Sequence, residues 1–115
     1  MYIQMIKVTL SSTANKKIHG VGEIRVSDGA AEINFKISSV AHLSEYSLKC
    51  KYQIYGDRIM LYTTPGETLI MNMFIIINLR DMYPAAYYST VVPIDCGLIK
   101  IDQHTSKDIL ALFQV

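Results

Sequence analysis

The length, composition and charge of this 115-residue chain exclude several classes of protein. Half of its residues are hydrophobic and only 18% are charged, so the chain is too apolar to be disordered, and its length suits a single globular domain over 1–115. Eleven basic residues nearly balance ten acidic ones, which argues against specific nucleic-acid binding, while the small net charge of +1 favours association with itself or with another protein.

Alternation of apolar and polar residues predicts an antiparallel strand at the start of the chain. Ile6, Val8 and Leu10 would share one face of a strand over 2–10, with the polar residues between them facing solvent. The polar segment over 11–17 has no apolar periodicity and is predicted to be a loop.

Two short turn sequences predict hairpins. Asp28-Gly29 and Gly56-Asp57 both lie between alternating segments, and these residue types tolerate the positive φ that tight hairpin turns require. The predicted pairs are 23–26 with 31–37, and 46–55 with 58–62. The segment 38–45, which has too few apolar residues to define a helix, is predicted to be a connection with room for one helical turn.

The most continuously apolar stretch is 68–79, and we expect the fold to be organised around it. Its β-branched isoleucines, and the turn residues Pro65 and Pro84 on either side, predict a central strand. It is far shorter than the ~20 residues that a membrane-spanning helix needs. Because both faces of this strand would be apolar, both are expected to be covered, with Ile75 and Ile77 fully buried.

The last third of the chain predicts two further strands. A strand over 87–94 would lie at an edge or a bulge, because Pro93 cannot donate a hydrogen bond to a neighbouring strand. Residues 95–97 (Asp-Cys-Gly) are predicted to turn into a short strand over 98–101.

A change of period predicts a helix at the end of the chain. Thr105 and Asp108 have the spacing of a capping box, and Ile109, Leu112 and Phe113 have the spacing of an apolar stripe. The predicted fold class is therefore α+β and β-rich. Seven or eight antiparallel strands would form a small sandwich or open barrel, with a short C-terminal helix over one end.

No catalytic, metal or cofactor site is predicted. His19, His42 and His104 are too far apart in sequence to suggest metal binding, and neither a nucleophile elbow nor a phosphate-binding glycine loop is present. Cys50 is expected to be a buried thiol, and Asp95 next to Cys96 would disfavour a thiolate there. Whether the two cysteines pair depends on the fold.

The N-terminus lacks the basic and apolar regions of a secretory signal, so a cytoplasmic protein that does not bind membranes is expected.

The tyrosines suggest an interface. Seven of the eight lie between positions 46 and 88, and tyrosine supplies a large contact area at low conformational cost. The segment 87–92 carries no charge that would protect a strand edge, so a homodimer is predicted through residues around that edge. The predicted interface residues are Tyr83, Tyr87, Tyr88 and Val92.

The function expected from these features is that of a non-catalytic protein-binding module acting through a tyrosine-rich apolar surface. Small inhibitors, immunity-type or anti-defence proteins and assembly adaptors belong to this class. Two alternatives stay open. A small-ligand-binding protein or an enzyme would show a deep pocket lined by convergent titratable groups, and a structural subunit of a larger assembly would show extended or symmetric contacts.

Overall fold

A computed structural model of the protein shows a barrel of antiparallel strands with a helix at one end. The structure describes residues 5–13, 19–27, 29–38, 43–63, 73–90 and 95–114. Within these ranges the strands are β1 Met5–Ser12, β2 His19–Ser27, β3 Ala30–Ser38, β4 Leu43–Tyr55, β5 Arg58–Thr63, β6 Met73–Asn78, β7 Ala85–Thr90 and β8 Asp95–Ile101, and the helix is α1 Ser106–Phe113.

Each strand pairs with its neighbours in sequence, and a seam between β1 and β8 closes the barrel. In that seam Val8 pairs with Ile101 and Ser12 with Gly97. The β-rich antiparallel fold with a short C-terminal helix is confirmed. Of the two architectures predicted, a sandwich or an open barrel, the barrel is correct in part, because the barrel is closed and not open. Closure depends on pairing between the first and the last strand, which no local pattern in the sequence reports.

The inward-facing side chains of all eight strands fill the barrel. They form one apolar cluster together with three residues of α1, and every member of the cluster is at most 5% exposed. The members are Ile6, Val8, Leu10, Ile24, Ala31, Ile33, Phe35, Leu48, Cys50, Ile59, Leu61, Met73, Ile75, Ile77, Ala86, Tyr88, Ile99, Ile109, Leu112 and Phe113. Burial of this cluster is the main source of stability for the fold.

The predicted central strand is partly confirmed by β6. Ile75 and Ile77 are buried at 1% and 0% exposure, as expected. Phe74 and Ile76 are 43% and 42% exposed, however, so the prediction that both faces are covered is wrong. A barrel strand has one face in the core and the other outside, whatever its composition. The part of the prediction over 68–72 lies outside the described residues.

Both predicted hairpins are confirmed. Ser27 pairs with Ala30 and Tyr55 with Arg58, which leaves two-residue turns between the strands. Gly29 has φ of 78° and Gly56 has φ of 54°, the left-handed region that glycine enters most readily. The connection predicted over 38–45 is shorter than expected, because β4 begins at position 43.

The turn predicted over 95–97 is wrong, because these residues are the first part of β8. Thr90 pairs with Asp95, and Tyr88 pairs with Gly97. Gly97 is buried between two strands: a Cβ there would overlap the backbone oxygen of Ser11 and lie 2.6 Å from Cε1 of Tyr88. The glycine therefore permits close packing within the sheet. The prediction was wrong because glycine is also common in turns, and the sequence alone does not separate the two roles.

The C-terminal helix begins with the predicted capping box. The Thr105 side chain accepts a hydrogen bond from the Asp108 amide, and the Thr105 amide donates to the Asp108 carboxylate at 3.0 Å. Hydrogen bonds to the carboxylate, first from the Thr105 backbone amide and second from the Thr105 side chain, lower the pKa of Asp108. No helix in the described part of the chain is long and apolar enough to span a membrane.

Helix α1 closes the end of the barrel at which the β4–β5 turn and the β6–β7 connection lie. The Ser106 amide donates to the Met82 carbonyl oxygen at 2.8 Å, which ties the helix to the β6–β7 connection. The Tyr52 hydroxyl donates to the Phe113 carbonyl oxygen at 3.2 Å, and the two rings meet edge to face at 5.0 Å. The strand ends at this side of the barrel are therefore held in place by the helix.

Candidate functional site

The outer surface of β6, β7 and β8 differs from the rest of the barrel in its chemistry. Its outward-facing residues are Phe74, Ile76, Asn78, Ala85, Tyr87, Ser89, Cys96, Leu98 and Lys100. Among these described positions only Lys100 is charged. We call this surface the apolar face. A sheet surface with several large exposed apolar side chains and almost no charge often marks a binding surface.

A row of three large side chains crosses the middle of the apolar face. Ile76 pairs with Tyr87, and Tyr87 pairs with Leu98, so the three side chains lie side by side on adjacent strands. They are 42%, 50% and 51% exposed. Adjacent strands are about 4.8 Å apart, so the row extends over roughly 10 Å. Phe74, two residues from Ile76 on the same strand, extends the apolar surface along β6.

An open depression of about 510 Å³ lies beside this row. One side of it is formed by Tyr83 and Tyr87, and the other by Leu98 and Lys100. Tyr83 is 65% exposed, and Met82 next to it is 72% exposed. Through Tyr83, the β6–β7 connection therefore adds an exposed side chain to the edge of the apolar face.

The four predicted interface residues do not share one location in the structure. Tyr83 and Tyr87 are exposed and line the same depression. Tyr88 is 2% exposed and faces the barrel interior, because it follows Tyr87 on a strand whose side chains alternate in direction. Val92 lies outside the described residues. The surface that the structure presents therefore includes two of the four.

The edge that was predicted to pair with a second chain does not exist in β7. This strand is bonded to β6 on one side and to β8 on the other, so its backbone groups over 85–90 are already paired. Contact with another molecule at this place must be made by side chains.

Sequence reasoning missed Ile76 and Leu98 as surface residues. The apolar stretch 68–79 predicts that Ile76 is covered, and the sequence predicts for Leu98 only a place in a short strand over 98–101. Their exposure could be predicted only from the register of β6, β7 and β8 in the closed barrel. No single segment of the sequence contains that register.

The surface formed by β1 to β4 carries most of the outward-facing charges and shows a second open depression, of about 700 Å³. Four of its charged side chains form two ion pairs: Arg25 contacts Glu23 at 3.1 Å, and Lys36 contacts Glu45 at 4.0 Å. Solvated ion pairs of this kind contribute little to stability and provide no unusual chemistry. This surface is a weaker candidate for a binding site than the apolar face.

The cysteines lie on opposite sides of the barrel wall and form no disulfide. Cys50 faces the core, where burial raises its pKa to about 12, so the expectation of a buried thiol is confirmed. Cys96 faces outward, and the Thr13 hydroxyl donates a hydrogen bond to its carbonyl oxygen at 3.0 Å. Within the described ranges, no group of three or more His, Cys, Asp and Glu side chains is arranged to hold a metal ion.

Comparisons of the chain with protein-family models, with curated proteins and with solved structures find no significant match.

Proposed function

We propose that this protein is a non-catalytic binding module that docks a protein partner on its apolar face. The observation that supports the proposal is the row of Ile76, Tyr87 and Leu98, which is half exposed on a surface where Lys100 is the only charged side chain described. Side chains of this kind cost free energy when they are left in water, and a protein partner would cover them.

The size of the surface suits the centre of a protein interface. A fully exposed aromatic residue presents roughly 150–250 Å², and leucine and isoleucine lie near the lower end of this range, so five side chains exposed by about half present on the order of 500 Å². The five are Phe74, Ile76, Tyr83, Tyr87 and Leu98. A stable interface buries about 800 Å² on each partner, so the apolar face would supply more than half of this area and a polar rim would supply the rest.

The chemistry of the face also restricts the partner. A charged partner surface would lose its hydration on docking and gain almost no opposite charge in return, so a matching surface must be mostly uncharged. The depression beside Tyr87 can accept a projecting side chain, and the tyrosine hydroxyls at its edge can remain hydrated. An inhibitor, an immunity-type or anti-defence protein and an assembly adaptor all act through contacts of this kind.

Site-specific photo-cross-linking tests the proposal. A photoreactive phenylalanine analogue replaces Ile76 in one variant and Val21 in another, since Val21 is also exposed (58%) but lies on β2. We expect cross-linked protein adducts from position 76 in cells that produce the protein, and few or none from position 21. The proposal would be overturned by equal adducts from the two positions, or by no adduct from position 76.

A further inference from the structure

We infer that the partner on the apolar face is a second copy of this chain, docked face to face about a two-fold axis. This inference rests on the proposed function, because it names the occupant of the same surface. Both the arrangement of the side chains and the distribution of charge support it.

The row across the apolar face is symmetric in its chemistry. An aromatic residue, Tyr87, lies at the centre, with one branched aliphatic residue on each side, Ile76 on β6 and Leu98 on β8. A two-fold axis that runs between two such faces, parallel to β7, would place Ile76 of each copy opposite Leu98 of the other. Each contact would then be made twice, as a two-fold interface requires.

The same rotation matches the edge of the face to the depression. The β6–β7 connection of one copy would lie at the end of the barrel where the depression between β7 and β8 opens on the other copy. Met82, a residue of that connection that is 72% exposed, would be brought close to the depression, and the reciprocal contact would form on the other side. Two barrels are convex, so a projecting side chain that enters a depression increases the contact area.

Charge does not oppose this association. Lys100 lies at the border of the face, and the chain has a formal net charge of only +1, so two copies repel one another weakly. The closed barrel also determines the mode of contact: since the strands around the face are paired on both sides, the copies meet through side chains and not through an added strand.

Light scattering coupled to size exclusion measures the expected dimer. We expect a mass of twice 13.0 kDa at high concentration, falling toward 13.0 kDa on dilution, over a range from about 1 mM to about 1 µM. Tyr87→Lys should abolish the dimer, because a lysine at the centre would remain unpaired and desolvated. Tyr55→Lys is the matched control, since Tyr55 is 56% exposed and lies outside the apolar face. It should leave the dimer intact.

Circular dichroism checks that each variant is folded. If Tyr87→Lys does not fold, Leu98→Lys provides the second test. A mass of 13.0 kDa at every concentration would overturn the inference. It would also be overturned by a dimer that persists when Tyr87→Lys and Leu98→Lys are folded. The proposed function would survive that result if photo-cross-linking at position 76 still captured a different protein. It would fail only if position 76 captured nothing specific.

Thiol cross-linking tests the two-fold arrangement itself. In a Cys96→Ser background, Ile76→Cys chains are mixed with Leu98→Cys chains and treated with a bis-maleimide of a reach close to the ~10 Å spacing of packed sheets. We expect covalent dimers in the mixture and far fewer with either variant alone, because equivalent positions lie on opposite sides of the axis. Equal yields in all three samples would contradict the arrangement.

Discussion

Gly97 shows how one residue can decide whether two strands of the barrel fit together. It pairs with Tyr88 on one side and with Ser12 on the other, and the tyrosine ring lies over it inside the barrel. A side chain at this position would have to occupy space that the Ser11 carbonyl group and the Tyr88 ring already fill.

We therefore expect Gly97→Ala to reduce the free energy of unfolding by at least about 1–3 kcal/mol, the usual cost of an overpacked site. Urea unfolding followed by circular dichroism measures the loss. Combining the substitution with Tyr88→Leu should restore little stability, because the clash with the Ser11 backbone would remain. A double variant as stable as Tyr88→Leu alone would show that the ring is the whole obstacle.

Tyr88 also shows what a residue-scale prediction can miss. Tyr87 and Tyr88 are neighbours with the same side chain, and the sequence predicts an interface role for both. One is half exposed and the other is 2% exposed, because consecutive residues of a strand face opposite ways. A charged substitution at Tyr88 would disrupt the core, so Tyr87 is the informative position for a test of binding.

At the scale of the element, β6 carries a core face and a binding face on one short strand. Ile75 is 1% exposed and Ile76 is 42% exposed, although both are isoleucines in the same run. We expect Ile75→Ala to cost about 2–5 kcal/mol of stability, and Ile76→Ala less than about 1 kcal/mol. Denaturant unfolding of the two variants side by side checks this. Equal losses would contradict the assignment of faces.

The stability of helix α1 depends on its capping box, and the carboxylate in that box makes this stability depend on pH. Hydrogen bonds with Thr105 lower the pKa of Asp108 below its ordinary value of 3.8, so the ionised form is favoured in the folded state. The stability that this carboxylate provides is fully present above the unfolded pKa and is lost as the pH falls through the lower, folded pKa.

We expect Asp108→Asn to be less stable than the unmodified protein near neutral pH, and the difference to shrink in acid. Urea unfolding from about pH 6 to about pH 2 measures both proteins under the same conditions. Lys107→Gln, a change of charge at an exposed position on the same helix, serves as the control. A difference between the two proteins that stayed constant across this range would exclude the carboxylate as its source.

At the scale of the whole molecule, the sequence predicts what local chemistry determines. The turns at Gly29 and Gly56 follow from their permitted φ values, and the helix after Thr105 follows from its cap and apolar spacing. The alternating strands predict a core that includes Ile75 and Ile77. Each of these features depends on residues close together in the chain.

The features that escaped prediction depend on residues far apart. Closure of the barrel requires β1 to pair with β8, and the exposure of Ile76 and Leu98 depends on which strands become neighbours. The apolar face itself is assembled from three strands in a register that no single segment contains. The sequence therefore predicts only part of the candidate site, namely Tyr83 and Tyr87.

The seam between β1 and β8 also has a consequence for the kinetics of folding. Every other pair of strands joins segments that follow one another in the chain, and these can form soon after synthesis. The seam joins the first strand to the last. Its hydrogen bonds can form only after the longest loop in the chain has closed, and this closure has the largest cost in conformational entropy. On the ribosome, β1 and β7 keep open edges until β8 emerges, and this is the interval in which the chain is most exposed to aggregation.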